Sequence, residues 1–304
     1  MKPDYHQPTR IAIVGTGNVG ATFAYALALS GLASEIVLID TNRDKAEGEA
    51  MDLNHAVPLA RPCRIWTGSY QDCQTALITV ITAGTAQKAG ETRLELLQRN
   101  SEIFRAIIPE VAKNNPEGII LIASNPVDIL TQIAWRLSGL PANRVIGSGT
   151  ILDTARFRYL LSQHFDVDPR SVHAYIIGEH GDSEVPVWSL ANIAGMRLSD
   201  FCRMNGFHCQ DELLRDIFYQ TRDAAYHIIE HKGATYYAIG TGLVRIVEAI
   251  VRDQSTVLSV SSLIRDYYDI DNVYLSMPCV VDRSGVERTI WLEVSSQEIE
   301  GLKS

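Results

Sequence analysis

The sequence predicts an α/β protein: a doubly wound parallel sheet in the first half, followed by a second unit of α+β type. Three observations carry this expectation. Short apolar runs alternate with helical patterns up to about residue 150. A glycine-rich turn joins the first apolar run to the first helix. Past residue 150, long helical stretches give way to alternating segments joined by turn signals.

The segments "IAIV" (11–14), "IVLI" (36–39), "ITVITA" (78–83) and "IILIAS" (119–124) are short and mostly apolar, as strands buried on both faces are. Helical patterns lie between them, in "ATFAYALALSG" (21–31) and over Arg93–Asn114. In the latter, Leu96, Leu97, Ile103, Phe104, Ile107, Ile108 and Val111 recur at helical spacing, and Pro109 predicts a kink. Strands separated by helices imply parallel pairing through right-handed crossovers. In the second half, helices are expected around 211–231 and 236–252, with Gly233 ending the first. "TVLSVSSL" (256–263), "MPCVV" (277–281) and "RTIWLEV" (288–294) read as antiparallel strands, with a turn at Ser284-Gly285. The division expected is a nucleotide-binding domain over 1–148 and a substrate domain over 149–304. No Pro/Ser/Gly-rich linker separates them, so a tight interface between the two is predicted.

With 46% hydrophobic and 21% charged residues, the chain of 304 residues can bury a large core. Its 36 acidic and 27 basic residues leave a net charge of −9, which argues against nucleic-acid binding. A small anionic substrate stays open, because a site can be locally basic. Five scattered cysteines without a C-x-x-C pair predict neither a zinc site nor a disulfide framework, and suggest reduced thiols in a cytoplasm. Residues 11–34 carry no charge and follow Lys2 and Arg10, like a targeting segment. Their patterned glycines, and the apolar "EIVLID" that follows directly, favour structure over a membrane or export signal.

"IAIVGTGNVGATFAYALA" places G-x-G-x-x-G (Gly15, Gly17, Gly20) after a strand and at a helix start. A helix N-terminus offers unpaired N–H groups and a positive dipole end to a pyrophosphate. Asp40 ends the next strand, 20 residues after Gly20, where a carboxylate accepts hydrogen bonds from an adenosine ribose. The motif alone is weak, but in this context a Rossmann dinucleotide site is favoured over an ordinary turn. Asp40 also disfavours an extra 2′-phosphate, so NAD is expected rather than NADP.

Four further segments follow in order: "AGTAQKAGETRLELLQRNS" (83–101), "SNPVDILT" (124–131), "GTILDTARFRYLL" (149–161) and "IIGEHGDSEVPVWS" (176–189). With "KGAT" (232–235), they make the chain resemble the L-lactate and malate dehydrogenase superfamily over nearly its whole length, and within it the allosteric bacterial L-lactate dehydrogenases. The resemblance implies that His180 is the acid/base, giving a proton to the carbonyl oxygen of pyruvate while NADH gives a hydride. Histidine suits that task because its ordinary pKa lies near working pH. Asp153 would orient His180 and stabilise its charge. Arg156 would take the substrate carboxylate with two parallel hydrogen bonds, which a lysine cannot match. Arg93 would polarise the carbonyl from a lid bracketed by Gly84 and Gly90. Asn125 would bind the reacting oxygen and the cofactor region, and Asn18, Val19, Ala83 and Gly84 complete the cofactor set.

In the superfamily, the position matching Gln87 carries arginine when the substrate has a second carboxylate. A neutral glutamine, with Thr235 at the matching wall, therefore implies pyruvate and lactate. Malate or a bulkier 2-hydroxy acid is the alternative. Ala89 departs from the proline common after "QK", which bears on lid motion and not on chemistry. A non-catalytic protein that kept the fold is disfavoured by the intact set of His180, Asp153, Arg156 and Arg93. A metal-assisted enzyme is disfavoured by the lack of a cysteine–histidine cluster. Arg158 and His173 match the pair that binds fructose 1,6-bisphosphate between subunits of allosteric relatives, implying a homotetramer of fermentative glycolysis. If "AYIIG" (174–178), between His173 and His180, is a strand, an effector at one end could bias His180 at the other.

Overall fold

The structure is a computed structural model, and residues 8–85 and 92–304 are described. The first half runs β1 (Arg10–Val14), α1 (Asn18–Ser30), β2 (Glu35–Ile39), α2 (Arg43–Ala56), β3 (Arg64–Thr67), β4 (Ala76–Ile81), α3 (Arg93–Asn114), β5 (Ile119–Ile122), α4 (Val127–Ser138) and β6 (Val145–Gly147). These six strands pair in parallel in the order β3-β2-β1-β4-β5-β6. The order reverses between β1 and β4, and that switch point is where open α/β sheets bind ligands.

The apolar runs are continuous because each strand is covered on both faces. Ile11 and Ile13 of β1 enter one core cluster, together with Ile36, Leu38, Ile78, Val80, Ile119 and Leu121. The alternate residues Ala12 and Val14 enter the other, with Val37, Ile39, Ile81, Ile120 and Ile122. Such side chains, fully buried, contribute about 1.5–3 kcal/mol each. This packing makes the strand ends a rigid platform for the site. α3 continues through Pro109, which interrupts it without ending it.

The second half comprises α5 (Ile151–Phe165), β7 (Val172–His173), β8 (Ile176–Ile177), β9 (Val185–Pro186), β10 (Asn192–Ile193), β11 (Met196–Arg197), α6 (Leu198–Asn205), α7 (Asp211–Lys232), α8 (Tyr237–Val251), β12 (Thr256–Ile264), β13 (Val273–Asp282), β14 (Gly285–Thr289) and α9 (Ser296–Lys303). Gly233 ends α7 in the left-handed conformation, as its position predicts. The antiparallel strands β12 to β14 extend the parallel sheet, joining it through Ser261 opposite Gly147. One sheet therefore runs across the expected division at 148.

Three sequence expectations are corrected here. Residues 290–294 are not a strand, because β14 starts at the Gly285 turn and ends at Thr289. Residues 174–178 do not form one strand reaching back to His173: β7 ends at His173 and pairs with β10, whereas β8 pairs with β9 in a separate two-stranded sheet. Cys202 and Cys209 form a disulfide with Cα atoms 6.1 Å apart, so the thiols are not all reduced. Gly206 ends α6 in the left-handed conformation and turns the chain back on itself. That helix end, absent from the sequence pattern, is what brings the two cysteines together.

Candidate active site

The glycine turn occupies the switch point. Gly15 has φ of +101°, and a Cβ there would lie 2.6 Å from the Ala83 nitrogen. A Cβ on Gly20 would run into the Gly15 carbonyl oxygen. Both glycines therefore serve the protein's own packing. Gly17 differs: its backbone is extended, and an added Cβ would meet no atom within 4 Å. Nothing in the folded chain demands a glycine there, which fits a position reserved for close approach of a phosphate. Gly17 and Asn18 are exposed at the N-terminus of α1 and Val19 is half-buried, and no side chain caps that end.

Asp40 follows β2 and faces the turn. One carboxylate oxygen accepts from the Thr16 N–H (2.6 Å) and hydroxyl (2.9 Å), and the other from the Asn42 N–H (2.9 Å). Partial burial opposes its charge, but these bonds and nearby Lys45 hold its carboxyl below the usual range. The anion is thus preformed beside the glycine turn. The Thr82 hydroxyl donates to the Gly15 carbonyl (2.7 Å), and the Ser124 hydroxyl donates to that of Ala83 (2.6 Å). These bonds tie the ends of β1, β4 and β5 together. Asn100, fully buried, accepts from the Thr85 N–H (2.9 Å) and donates to the Asn125 carbonyl (2.8 Å). It fixes the segments carrying Gly84 and Asn125, and the Asn125 side chain stays exposed at the end of β5.

His180 lies between β8 and β9. Gly178 exchanges two backbone hydrogen bonds with Ser276 of β13, each 2.9 Å. The His180 N–H donates to the Asp128 carboxylate of α4 (2.8 Å), and its Nδ1 lies 2.6 Å from the Asp153 carboxylate of α5. Backbone and ring are thus held by two different helices. About a quarter of the His180 side chain reaches solvent (24%), against 2% for Asp153. Burial opposes the imidazolium, but Asp153 as charge and acceptor, with the further carboxyls Asp128 and Glu184, pushes its pKa up to about 9.

Asp153 is in the first turn of α5, where the helix dipole favours an anion. Arg156, one turn on, donates to its other oxygen (3.1 Å). Burial works against this carboxylate, yet His180 and Arg156 keep its pKa low. Thr235 is half-buried in the loop joining α7 to α8. Arg93 opens α3, but its side chain and the whole of Gln87 lie outside the described residues, as do Ala89 and Gly90. Arg158 donates from Nε to the Ala174 carbonyl (2.8 Å), and its guanidinium lies 4.9 Å from the Tyr175 ring centre. That places it beside the residue following His173, which is exposed.

The geometry combines a glycine turn at the switch point of the parallel sheet with a part-exposed histidine held by a buried carboxylate that also pairs with an arginine. Two family models match, the lactate/malate dehydrogenase NAD binding domain over residues 9–147 and the lactate/malate dehydrogenase alpha/beta C-terminal domain over 150–304. The chain belongs to the lactate/malate dehydrogenase family. It is 51% identical to L-lactate dehydrogenase 1 of Clostridium acetobutylicum, over 97% of this chain and 94% of that protein. It is 50% identical to an L-lactate dehydrogenase of Priestia megaterium, over 100% and 95% respectively. The crystal structure of the minor L-lactate dehydrogenase from Enterococcus mundtii, in a ligands-bound form, superposes with a TM-score of 0.94 at 43% identity, covering 97% of this chain and 94% of that one.

Two carboxyls in this family site escaped the sequence reading as functional groups. Asp128 sits in the quoted "SNPVDILT", and burial raises its pKa to about 6. Glu184 closes the stretch "GEHGDSE" and is buried. Asp153, His180 and Glu184 offer ligand-type atoms within 4.8 Å of one another. The short Nδ1 contact already engages His180 with Asp153, so the arrangement reads as a hydrogen-bonded pair and not as a metal cradle.

Proposed function

We propose that this chain is an NAD-dependent L-lactate dehydrogenase with His180 as its acid/base. The observation that carries the reading is buried Asp153 bonded to the part-exposed His180, with Arg156 beside it. Asp153 accepts from Nδ1–H, which leaves Nε2 as the nitrogen that carries the transferable proton. Bound NADH supplies the hydride to the carbonyl carbon. With its pKa near 9, His180 is protonated at neutral pH and ready to give its proton to the carbonyl oxygen. In lactate oxidation it takes the hydroxyl proton instead. Arg156 spends one N–H on Asp153 and turns the rest of its guanidinium to the substrate carboxylate. Arg93 polarises the carbonyl, Asn125 binds the reacting oxygen, and the neutral side chains of Gln87 and Thr235 suit a methyl better than a second carboxylate.

The cofactor set is Gly15, Gly17, Asn18, Val19, Gly20, Asp40, Ala83, Gly84 and Asn125, within a nucleotide domain ending at 148. The open space over Gly17 and the preformed Asp40 anion support it. Among the described residues, no helix is long and apolar enough to cross a membrane, and use of NADH supports a cytoplasmic enzyme. Exposed Tyr25, Leu29, Met51 and Leu59 on and after α1 and α2 suit a homo-oligomer, here a tetramer. Arg158 and His173 form an effector site for fructose 1,6-bisphosphate. The direct experiment compares rates with pyruvate, oxaloacetate and 2-ketoisocaproate at saturating NADH. Pyruvate is expected to have the largest kcat/KM, and a preference for either of the others would overturn the substrate assignment.

A further inference from the structure

Glu184 is 95% removed from solvent, with a relative exposure of 5%, and it lies in the middle of the site. Its backbone N–H donates to the Gly181 carbonyl (3.1 Å), closing the turn that brings it back beside His180. A carboxylate oxygen of Glu184 lies within 4.8 Å of the Asp153 carboxylate and of a His180 ring nitrogen. Its Oε1 is buried and has no hydrogen-bond partner. An ionised carboxylate so placed would leave Oε1 with neither water nor a donor, with the Gly181 backbone bonding the carboxyl, and would face a second buried anion. The charged groups facing it are Asp153 and Arg156 of α5 and His180 of its own loop. α7 engages Asp182 through the Tyr226 hydroxyl (2.8 Å), and α9 presents the uncharged Gly301 and Leu302 to Val185 and Gly178.

We propose that Glu184 is a positioning residue that must remain a neutral acid for Arg156 to take the substrate carboxylate, so that loss of its proton sets the alkaline limit of substrate binding in both reaction directions. The inference rests on the L-lactate dehydrogenase reading. A neutral Glu184 leaves Arg156 facing one protein anion, Asp153, with donors to spare for the substrate. An ionised Glu184 competes for those donors and repels the incoming carboxylate. By linkage, binding of the substrate anion holds the proton on Glu184. Burial, then the neighbouring Asp153, raises the Glu184 pKa to about 8, which puts the change within reach of kinetics.

The two directions separate this group from His180. Pyruvate binding needs a protonated His180, so either residue could cause its alkaline decline. Lactate oxidation needs His180 without its proton, so deprotonation of His180 does not weaken lactate binding. The experiment is therefore KM for lactate and for pyruvate between pH 6 and pH 10 in the wild type, Glu184→Gln and Glu184→Leu. NADH fluorescence titration checks that each variant is folded. In the wild type, KM for lactate should rise toward about tenfold per pH unit above the Glu184 pKa, with a smaller change in kcat. Both neutral side chains should flatten that rise. A flat wild-type lactate KM overturns the inference without any variant. So does an unchanged slope in a folded variant, with a lowered Tm alone marking Glu184 as merely structural. Pyruvate turnover by the wild type at neutral pH tests the underlying reading separately: its absence overturns both, and its presence with unchanged slopes overturns only the role of Glu184.

Discussion

Replacing Asp153 by asparagine keeps the shape of the site and removes the charge that holds His180. In the intact protein, the His180 pKa stands at about 9 against an ordinary 6.5. At 1.36 kcal/mol per pH unit, that difference is about 3 kcal/mol of coupling between the imidazolium and its surroundings. In the variant, burial still opposes the charge and the main force favouring it is gone, so the pKa falls to the ordinary value or below. At pH 8, His180 would go from about nine-tenths protonated to about one-thirtieth, a roughly 30-fold loss in pyruvate reduction from protonation alone. The stability consequence has a definite sign. His180 is a group whose folded pKa is raised, so its stabilisation is fully present below pH 6.5 and is lost as pH rises through about 9. Relief of Glu184 from its anionic neighbour favours the variant as pH rises, in the same direction. The Tm gap between wild type and Asp153→Asn should therefore be wide at pH 6 and much narrower at pH 10. Differential scanning calorimetry at the two pH values measures it. A gap that does not narrow would show that Asp153 does not hold the His180 charge.

The glycine turn separates folding from binding. Gly17→Ala should change stability by less than about 1 kcal/mol, because its backbone is compatible with alanine, yet weaken NADH binding tenfold or more. Gly20→Ala, which drives a methyl group into a backbone carbonyl, should destabilise the fold by about 3 kcal/mol. Chemical denaturation and NADH fluorescence titration on both variants check the pair, and equal effects on folding would refute the distinction. Gln87→Arg should move the ratio of kcat/KM for oxaloacetate over pyruvate upward, since a guanidinium pairs a second carboxylate and faces a methyl poorly. An unmoved ratio would remove position 87 from the substrate wall. Fructose 1,6-bisphosphate should lower KM for pyruvate and favour the tetramer in sedimentation, with both effects lost on changing Arg158 and His173 together. Activation that survives the double change would place the effector elsewhere.

What could be read from the sequence follows the range of the interactions involved. The buried parallel strands were legible because both faces are covered, so apolar character is continuous and needs no partner to be seen. Gly15, Gly17, Gly20 and Asp40 were legible because a turn, a helix start and a strand end all lie within 26 residues of chain. β6, only three residues long, was missed because its identity depends on β5 and β12 beside it. The 290–294 segment has the composition of a strand, but the Gly285 turn starts the pairing earlier, and it ends at Thr289. The Cys202–Cys209 bridge was hidden behind a helix end that only the tertiary packing sets.

The same distinction explains the site around His180. His180, Asp153 and Arg156 could be named from motifs, but neither motif states that the two segments meet. Their meeting is fixed by Thr150, just before α5, and Thr154 within it, whose side chains bond the carbonyl and N–H of Ile176 at 2.6 Å and 3.0 Å, and by Asp128, which takes the His180 N–H. Asp128 does this from 52 residues away in sequence, so no local pattern could reveal it. Glu184 was in plain view four residues from His180, and at that spacing an exposed acid would be unremarkable. Its meaning comes from burial and from the missing partner on Oε1, properties that exist only once the turn has closed. Around His180, sequence identifies which groups can react, whereas packing decides which of them keep their charge.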